Sequence, residues 1–396
     1  MELSKKILAQ ENSPVENYYV YANRAKKHGT KVYHLNIGQP DITTPPAFME
    51  AVRSFDADVL AYAPSEGRTD LIDAVRRYYK RFGVEAARDE IIVTHGGSEA
   101  LDMAFATILN EGDEVIMAEP FYTNYNIFAG MHGGTIVPIP TRPEDGYHYA
   151  SREKIEKAIT PKTKAFCICN PGNPTGTVLT EKEMKMICDL AVKHDFFIIA
   201  DEVYREFAYD EQQAISFGKF TEAKNNIIIT DSASKRFSAC GARIGTLFTK
   251  NQDVIDNVVK LAQARLCCPT LDQLGAVTLY DLPRDFFDDI KEEYKARRDA
   301  ACDALHRIEG VVCEKPGGSF YITCKLPIKN AHNFLVWMLT EFSDNGETAM
   351  FAPVEGFYGT PGKGKSEIRI AYVLNTKDLL RGIELIKLGL ERYMEK

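Results

Sequence analysis

The chain reads as an α/β protein: a large domain with a mostly parallel sheet flanked by helices, plus a smaller α+β domain. Three observations predict this. Between about residues 90 and 250 short β-rich runs alternate with helical ones; the β runs are apolar on both faces; and after about 250 the pattern changes to long helices with isolated β-like segments. A strand buried on both faces belongs in a parallel sheet covered on both sides. The β runs are IIVT (91–94), EVIMAE (114–119), KAFCIC (164–169), FFIIAD (196–201), NIIITD (226–231) and IGTLFT (244–249). The first leads into GGSEALDMAFATIL, with apolar residues at helical spacing, and EKEMKMICDLAVKH (181–194) has the same period. Beyond these, helices are expected at 251–266, 284–308, 331–342 and 376–394, and β segments at 319–324 and 367–373. Because the sheet pattern starts late, residues 1–45 are assigned to the second domain. The expected division is a large domain over 46–280 and a small domain built from 1–45 with 281–396.

Composition excludes several function classes. Hydrophobic residues make up 45% and charged residues 26%, the balance of a globular protein rather than a disordered or fibrous one. The net charge of -8, from 48 Lys+Arg against 56 Asp+Glu, argues against a nucleic-acid partner. No apolar run approaches the roughly 18–20 residues that span a bilayer, and the first residues do not read as a signal peptide. No membrane role and a cytoplasmic location are therefore expected. Nine Cys include no C-x-x-C pair, and eight His show no H-E-x-x-H, so reduced thiols and no metal are expected.

Residues 359–366, GTPGKGKS, fit the phosphate-cradling pattern G-x-x-x-x-G-K-S. That loop must follow a strand and open a helix, whereas here it precedes EIRIAYV, an alternating strand-like run. We read it as a surface loop. There is also no G-x-G-x-x-G opening a helix after a strand, which disfavours a nicotinamide dehydrogenase.

Four other segments sit at carboxyl ends of predicted strands, where ligands bind in doubly wound sheets. They are HGGSEAL (95–101), NPGNPTG (170–176), DEVY (201–204) and DSASKRFSACGARIG (231–245). A helix opening at Gly97, Ser98 and Glu99 offers backbone N–H groups to a phosphate, with Ser232 and Arg243 adding a hydroxyl and a cation. Asp201 and Tyr204 can contact a ring nitrogen and a ring hydroxyl, and a buried lysine, Lys235, can form a Schiff base with an aldehyde. Phosphate, pyridine nitrogen, phenolic oxygen and aldehyde together describe pyridoxal phosphate. Taken singly, each residue has an ordinary structural reading, such as a solvated lysine in a polar turn or a surface charge on a strand.

From about residue 33 to the C-terminus the sequence resembles the fold-type I, class I/II aminotransferases, the family of aspartate aminotransferase. The resemblance rests on LNIGQPD (35–41), YAPSEG (62–67), GGSEAL (96–101), EPFYTNY (119–125), NPGNPTG, DEVY, SASK and RIAY (369–372). It implies that the large domain binds pyridoxal 5'-phosphate. Lys235 then carries the cofactor and moves the substrate proton, Asp201 pairs with the ring nitrogen, Asn173 and Tyr204 bond the ring hydroxyl, and Tyr122 stacks on the ring. Gly97, Ser98, Ser232 and Arg243 hold the phosphate, Glu99 belongs to the same cofactor-binding set, Arg369 grips the substrate carboxylate, and Gly38, Tyr122 and Asn173 line the substrate. Tyr62 reaches the phosphate of a neighbouring subunit, which implies a homodimer with shared active sites.

The implied reaction moves the amino group of an L-amino acid, L-aspartate favoured, to 2-oxoglutarate by a ping-pong route. No residue clearly matches the arginine that holds a second carboxylate; Arg265 lies in roughly the right region of the sequence. Aromatic and alanine-type donors are alternatives, as is a β-lyase or other pyridoxal-phosphate enzyme on the same scaffold. A regulator without turnover would need a DNA-binding domain, for which residues 1–32 leave no room.

Overall fold

The computed structural model describes residues 2–10 and 13–395. In chain order the strands are β1 (Lys31–His34), β2 (Ile91–His95), β3 (Glu114–Ala118), β4 (Thr135–Ile139), β5 (Thr163–Cys169), β6 (Phe197–Asp201), β7 (Ile227–Ser232), β8 (Ile244–Thr249), β9 (Tyr321–Lys325), β10 (Glu347–Met350), β11 (Ala352–Pro353) and β12 (Glu367–Ala371). Seven of them form one sheet in the order β2-β8-β7-β6-β5-β3-β4. One apolar core packs beneath this sheet around Tyr78, Phe166 and Ile198, and a second above it around Phe105, Val115 and Ile199. Phe166 with Ile198 and Cys167 with Ile199 face opposite sides of paired strands, as the period-2 alternation of a two-sided sheet requires.

The sheet is parallel except for β8, which runs antiparallel to both β2 and β7. The sequence reading did not single this strand out. Its direction follows from chain length: only residues 233–243 separate β7 from β8, and a parallel crossover needs a dozen or more residues, usually a helix. The chain turns back through the short helix Ala233–Arg236, and Arg243 closes the turn in the left-handed region at φ 50°.

Helix boundaries follow local chemistry. Glu181–His194 begins with a reciprocal capping box, Thr180 accepting from the Glu183 N–H while Glu183 accepts from the Thr180 N–H. Thr376–Met394 is capped by Asn375 and matches the expected span. The charged helix runs Arg284–His306, two residues shorter than expected.

A third core joins both ends of the chain. β1 pairs in parallel with β10, and β12 lies between β11 and β9. Tyr18, Leu35, Phe320, Phe334 and Ile386 pack in this cluster, together with Tyr204 and Phe207 from the turn after β6. The 359–366 stretch is a turn leading directly into β12, so no helix follows it. Among the described residues, no helix is long and apolar enough to cross a membrane.

Candidate active site

A cavity of about 570 Å³ opens at the carboxyl edge of the large sheet. Gly97 and Ser98 enter it after β2, Asn173 after β5, Asp201 and Tyr204 at and after β6, and Ser232 and Lys235 at and after β7. Arg243 precedes β8 and reaches the same edge because that strand is antiparallel. Gly38, Tyr122 and Arg369 also line the cavity.

One end of the cavity suits an anion. The helix Gly96–Ile108 points its first turn at it, where backbone N–H groups have no intrahelical acceptor and the dipole is positive. Gly96 has φ +73°, and a Cβ there would collide with the Arg243 guanidinium, so glycine lets the cation sit against the helix start. Ser232 Oγ lies 2.8 Å from Ser234 Oγ and caps the short helix that carries Lys235.

The middle holds a carboxylate without a cation. Asp201 is 8% exposed; it accepts from the Tyr125 hydroxyl at 2.7 Å and the Val203 N–H at 3.3 Å, and no cationic side chain pairs with it among the described residues. Burial pushes its carboxyl up to about 6, against the two hydrogen bonds that pull it down. A ligand carrying a positive ring nitrogen would relieve that cost. Tyr122 lies edge-on to Tyr125, with centroids 5.4 Å apart, and burial raises its phenol to about 12.

The other end holds a cation without a carboxylate. Arg369, on β12 and 4% exposed, donates to Asn173 Oδ1 at 2.9 Å and the Asn36 carbonyl at 2.7 Å, and its Nε has no partner. No carboxylate of the described residues pairs with it. Lys235 Nζ donates to the Gly38 carbonyl at 2.7 Å and lines the same cavity as this cation.

Buried charges beneath the floor tie two site segments together. Asp231, next to Ser232, accepts from Arg236 and, at 3.2 Å, from Arg205, which also bonds Glu202 at 2.7 Å. Arg205 follows Tyr204 and Arg236 follows Lys235, so Asp231 links the turn after β6 to the turn after β7. Its removal would leave a buried guanidinium unpaired. Asp231→Ala is expected to cost about 3–5 kcal/mol, read as a lowered urea midpoint at unchanged slope.

Three residues fall outside the cavity wall. The Glu99 carboxylate turns back to accept from the His95 N–H at 2.7 Å, capping its own helix, while its backbone N–H stays in the first turn, as the sequence reading used it. Arg265, which lies in roughly the right sequence region for a second-carboxylate arginine, is held by Glu99 at 3.7 Å, by the Ser65 and Val93 carbonyls and by Cys268. Tyr62 is 80% exposed and far from contributing to its own chain's cavity. Two of the wall residues that the sequence reading did not name contact the site's polar groups. Tyr125 lies in the quoted EPFYTNY run, one helical turn after Tyr122, and that spacing was the available signal; Tyr321, on β9, belongs to no motif.

The model of "Aminotransferase class I and II" matches residues 30–379. The chain belongs to this aminotransferase family. It is 32% identical over 398 residues to a probable aspartate/prephenate aminotransferase of Aquifex aeolicus, covering 98% of each chain. It is 30% identical over 407 residues to an aspartate aminotransferase of Bacillus subtilis, covering 100% of each. A solved alanine aminotransferase from Pyrococcus furiosus superposes with a TM-score of 0.90 at 29% identity, over 99% of this chain and 100% of that one. The protein is thus an aminotransferase, and its cofactor is pyridoxal phosphate. The donor set of this aminotransferase fits that group: an amide-lined anion end, an unpaired buried carboxylate, and an amine within the same cavity.

Proposed function

We propose that this aminotransferase transfers the amino group of L-aspartate to 2-oxoglutarate by a ping-pong route, as a homodimer. The observation that carries the site assignment is the pair of buried charges with no ion partner among the described residues, Asp201 and Arg369, with Lys235 in the same cavity. The chemistry that pyridoxal phosphate supplies is an aldehyde that condenses with amines and a protonated ring that accepts electron density from Cα.

In this reading, the first turn of helix Gly96–Ile108 with Ser232 and Arg243 binds the phosphate, Tyr122 covers the ring face, and Tyr204 and Asn173 hold its hydroxyl. Asp201 keeps a proton at the ring nitrogen. Arg369 grips the substrate α-carboxylate with a planar pair of donors, which a lysine could not reproduce. Gly38 allows the substrate to approach the backbone. Lys235 Nζ takes the Cα proton and returns it to the cofactor side. Both substrates use this one site in turn, which is the basis of the ping-pong order.

The large and small domains are assigned to 46–280 and to 1–45 with 281–396. The dimer is supported by an exposed apolar face: Val59, Leu60, Tyr62 and Leu266 are all solvent-exposed, and Thr270 Oγ1 donates to the Ala61 carbonyl, which brings the two segments together. A second copy covering that face would place Tyr62 near the neighbouring cavity.

Aspartate is supported by the names of the relatives. A neutral donor, aromatic or alanine-type, is a second reading, favoured because Arg265 is engaged by Glu99 and because Val15, Tyr19, Ile37 and Ile127 line the cavity. Mixing the loaded enzyme with L-aspartate and no oxo acid tests both. Loss of the aldehyde-form absorbance and gain of the amine form in one turnover is expected. Conversion by tyrosine or alanine but not by aspartate would transfer the assignment to the second reading, and release of ammonia or CO₂ would point to lyase or decarboxylase chemistry.

A further inference from the structure

We propose that Tyr321 is a positioning residue that holds Arg369 and Tyr204 in one rigid wall, and that this support keeps Arg369 free for a carboxylate; the inference rests on the site reading above. Tyr321 is 3% exposed, and its ring lies under the Arg369 guanidinium, 4.4 Å from ring centroid to guanidinium carbon. Phe357 faces the same cation at 5.0 Å. A buried guanidinium needs compensation. Most buried cations obtain it from a carboxylate, which would occupy the edge of the fork and compete with an incoming substrate. Support through the ring faces stabilises the charge and leaves edge donors available.

The hydroxyl of Tyr321 performs a second task. It lies 3.0 Å from the Tyr204 hydroxyl, in a pair where one oxygen donates and the other accepts. When Tyr321 donates, the proton of Tyr204 is left free to point into the cavity toward the cofactor's ring hydroxyl. Tyr321 is fixed for this task by edge-on packing against Tyr204, centroids 5.6 Å apart, and by contact with Phe320. Gly38 is what admits it: a Cβ at position 38 would overlap the Tyr321 hydroxyl. One side chain therefore touches the carboxylate grip, the ring-hydroxyl partner and the substrate-side backbone.

The two tasks separate by substitution. Tyr321→Phe keeps the ring and loses the hydroxyl; Tyr321→Leu loses both. The full-length protein would be titrated with succinate, which carries carboxylates and no amine, by calorimetry with and without cofactor. The absorbance of the loaded protein would also be followed against pH. Tyr321→Phe is expected to leave succinate affinity and KM within about twofold while shifting the pH midpoint of the cofactor absorbance and lowering kcat. Tyr321→Leu is expected to weaken succinate about 10- to 30-fold in both forms and to raise KM similarly, the loss of a desolvated cation–π contact. Equal losses in both variants, or an unchanged absorbance midpoint in Tyr321→Phe, would overturn the proposal, and the Phe variant decides it even if the Leu variant does not fold. Wild-type succinate binding that Arg369→Ala leaves intact would instead overturn the site reading itself.

Discussion

Lys235→Ala is expected to lower kcat by about 10⁴-fold or more while leaving the protein folded. In the proposed mechanism the Nζ atom both holds the cofactor and moves the Cα proton, and removal of a group that serves as attachment point and general base compounds two losses. The fold is expected to survive because Lys235 is only partly buried and makes a single side-chain bond across the cavity, to the Gly38 carbonyl at 2.7 Å. Truncation enlarges an open cavity rather than leaving a void in one of the cores, so the stability change should stay within about 1 kcal/mol. Single-turnover absorbance with an amino donor, beside a thermal melt of the same sample, checks both halves. Turnover within tenfold of wild type would sink the role of this lysine.

Asp201→Asn is expected to act in opposite directions on stability and on activity. The native carboxyl titrates at about 6, raised by burial from a reference value of 3.8. Because the folded pKa lies above the unfolded one, the stability that this group contributes is full below about pH 3.8 and is lost as pH rises through about 6. At pH 8 the cofactor-free protein holds a desolvated, unpaired negative charge. Asparagine removes the charge but cannot accept from both the Tyr125 hydroxyl and the Val203 N–H, so the net gain is about 1–2 kcal/mol. The cofactor-free variant should melt higher than wild type at pH 8, and the advantage should vanish near pH 4. With cofactor bound, the missing anion no longer favours a protonated ring, and kcat should fall by about 10³-fold. A variant that melts lower than wild type at pH 8 would contradict the unpaired-carboxylate account.

The strands and helices of the large sheet were legible because each is specified locally. Ile, Val and Phe runs with no polar face leave a strand no alternative to burial on both sides, and Thr180 with Glu183 marks a helix start without any tertiary information. Site segments were legible for a related reason: tight turns at strand ends use Gly, Asn, Pro and Ser, which stand out against apolar runs. Charge pairing was not legible. Glu99 and Arg265 are 166 positions apart in sequence and meet each other at 3.7 Å. A charge already satisfied by a distant partner looks the same in sequence as one that is free.

The sequence by itself determined the alternation of elements, the edge of the sheet at which chemistry collects, and the residue types gathered there, because these depend on local propensity and on burial. Tertiary structure decided which charges are left unpaired. Among the described residues, Asp201 and Arg369 remain without ion partners, whereas Glu99, Arg265, Arg205 and Arg236 find theirs. It also decided that Arg243 sits against the helix start at the anion end and that Tyr321 stands under Arg369. The physical reason is that burial and neutralisation belong to three-dimensional neighbourhoods: the free energy of a charge is set by what surrounds it, and its surroundings come from segments that the chain brings together only on folding.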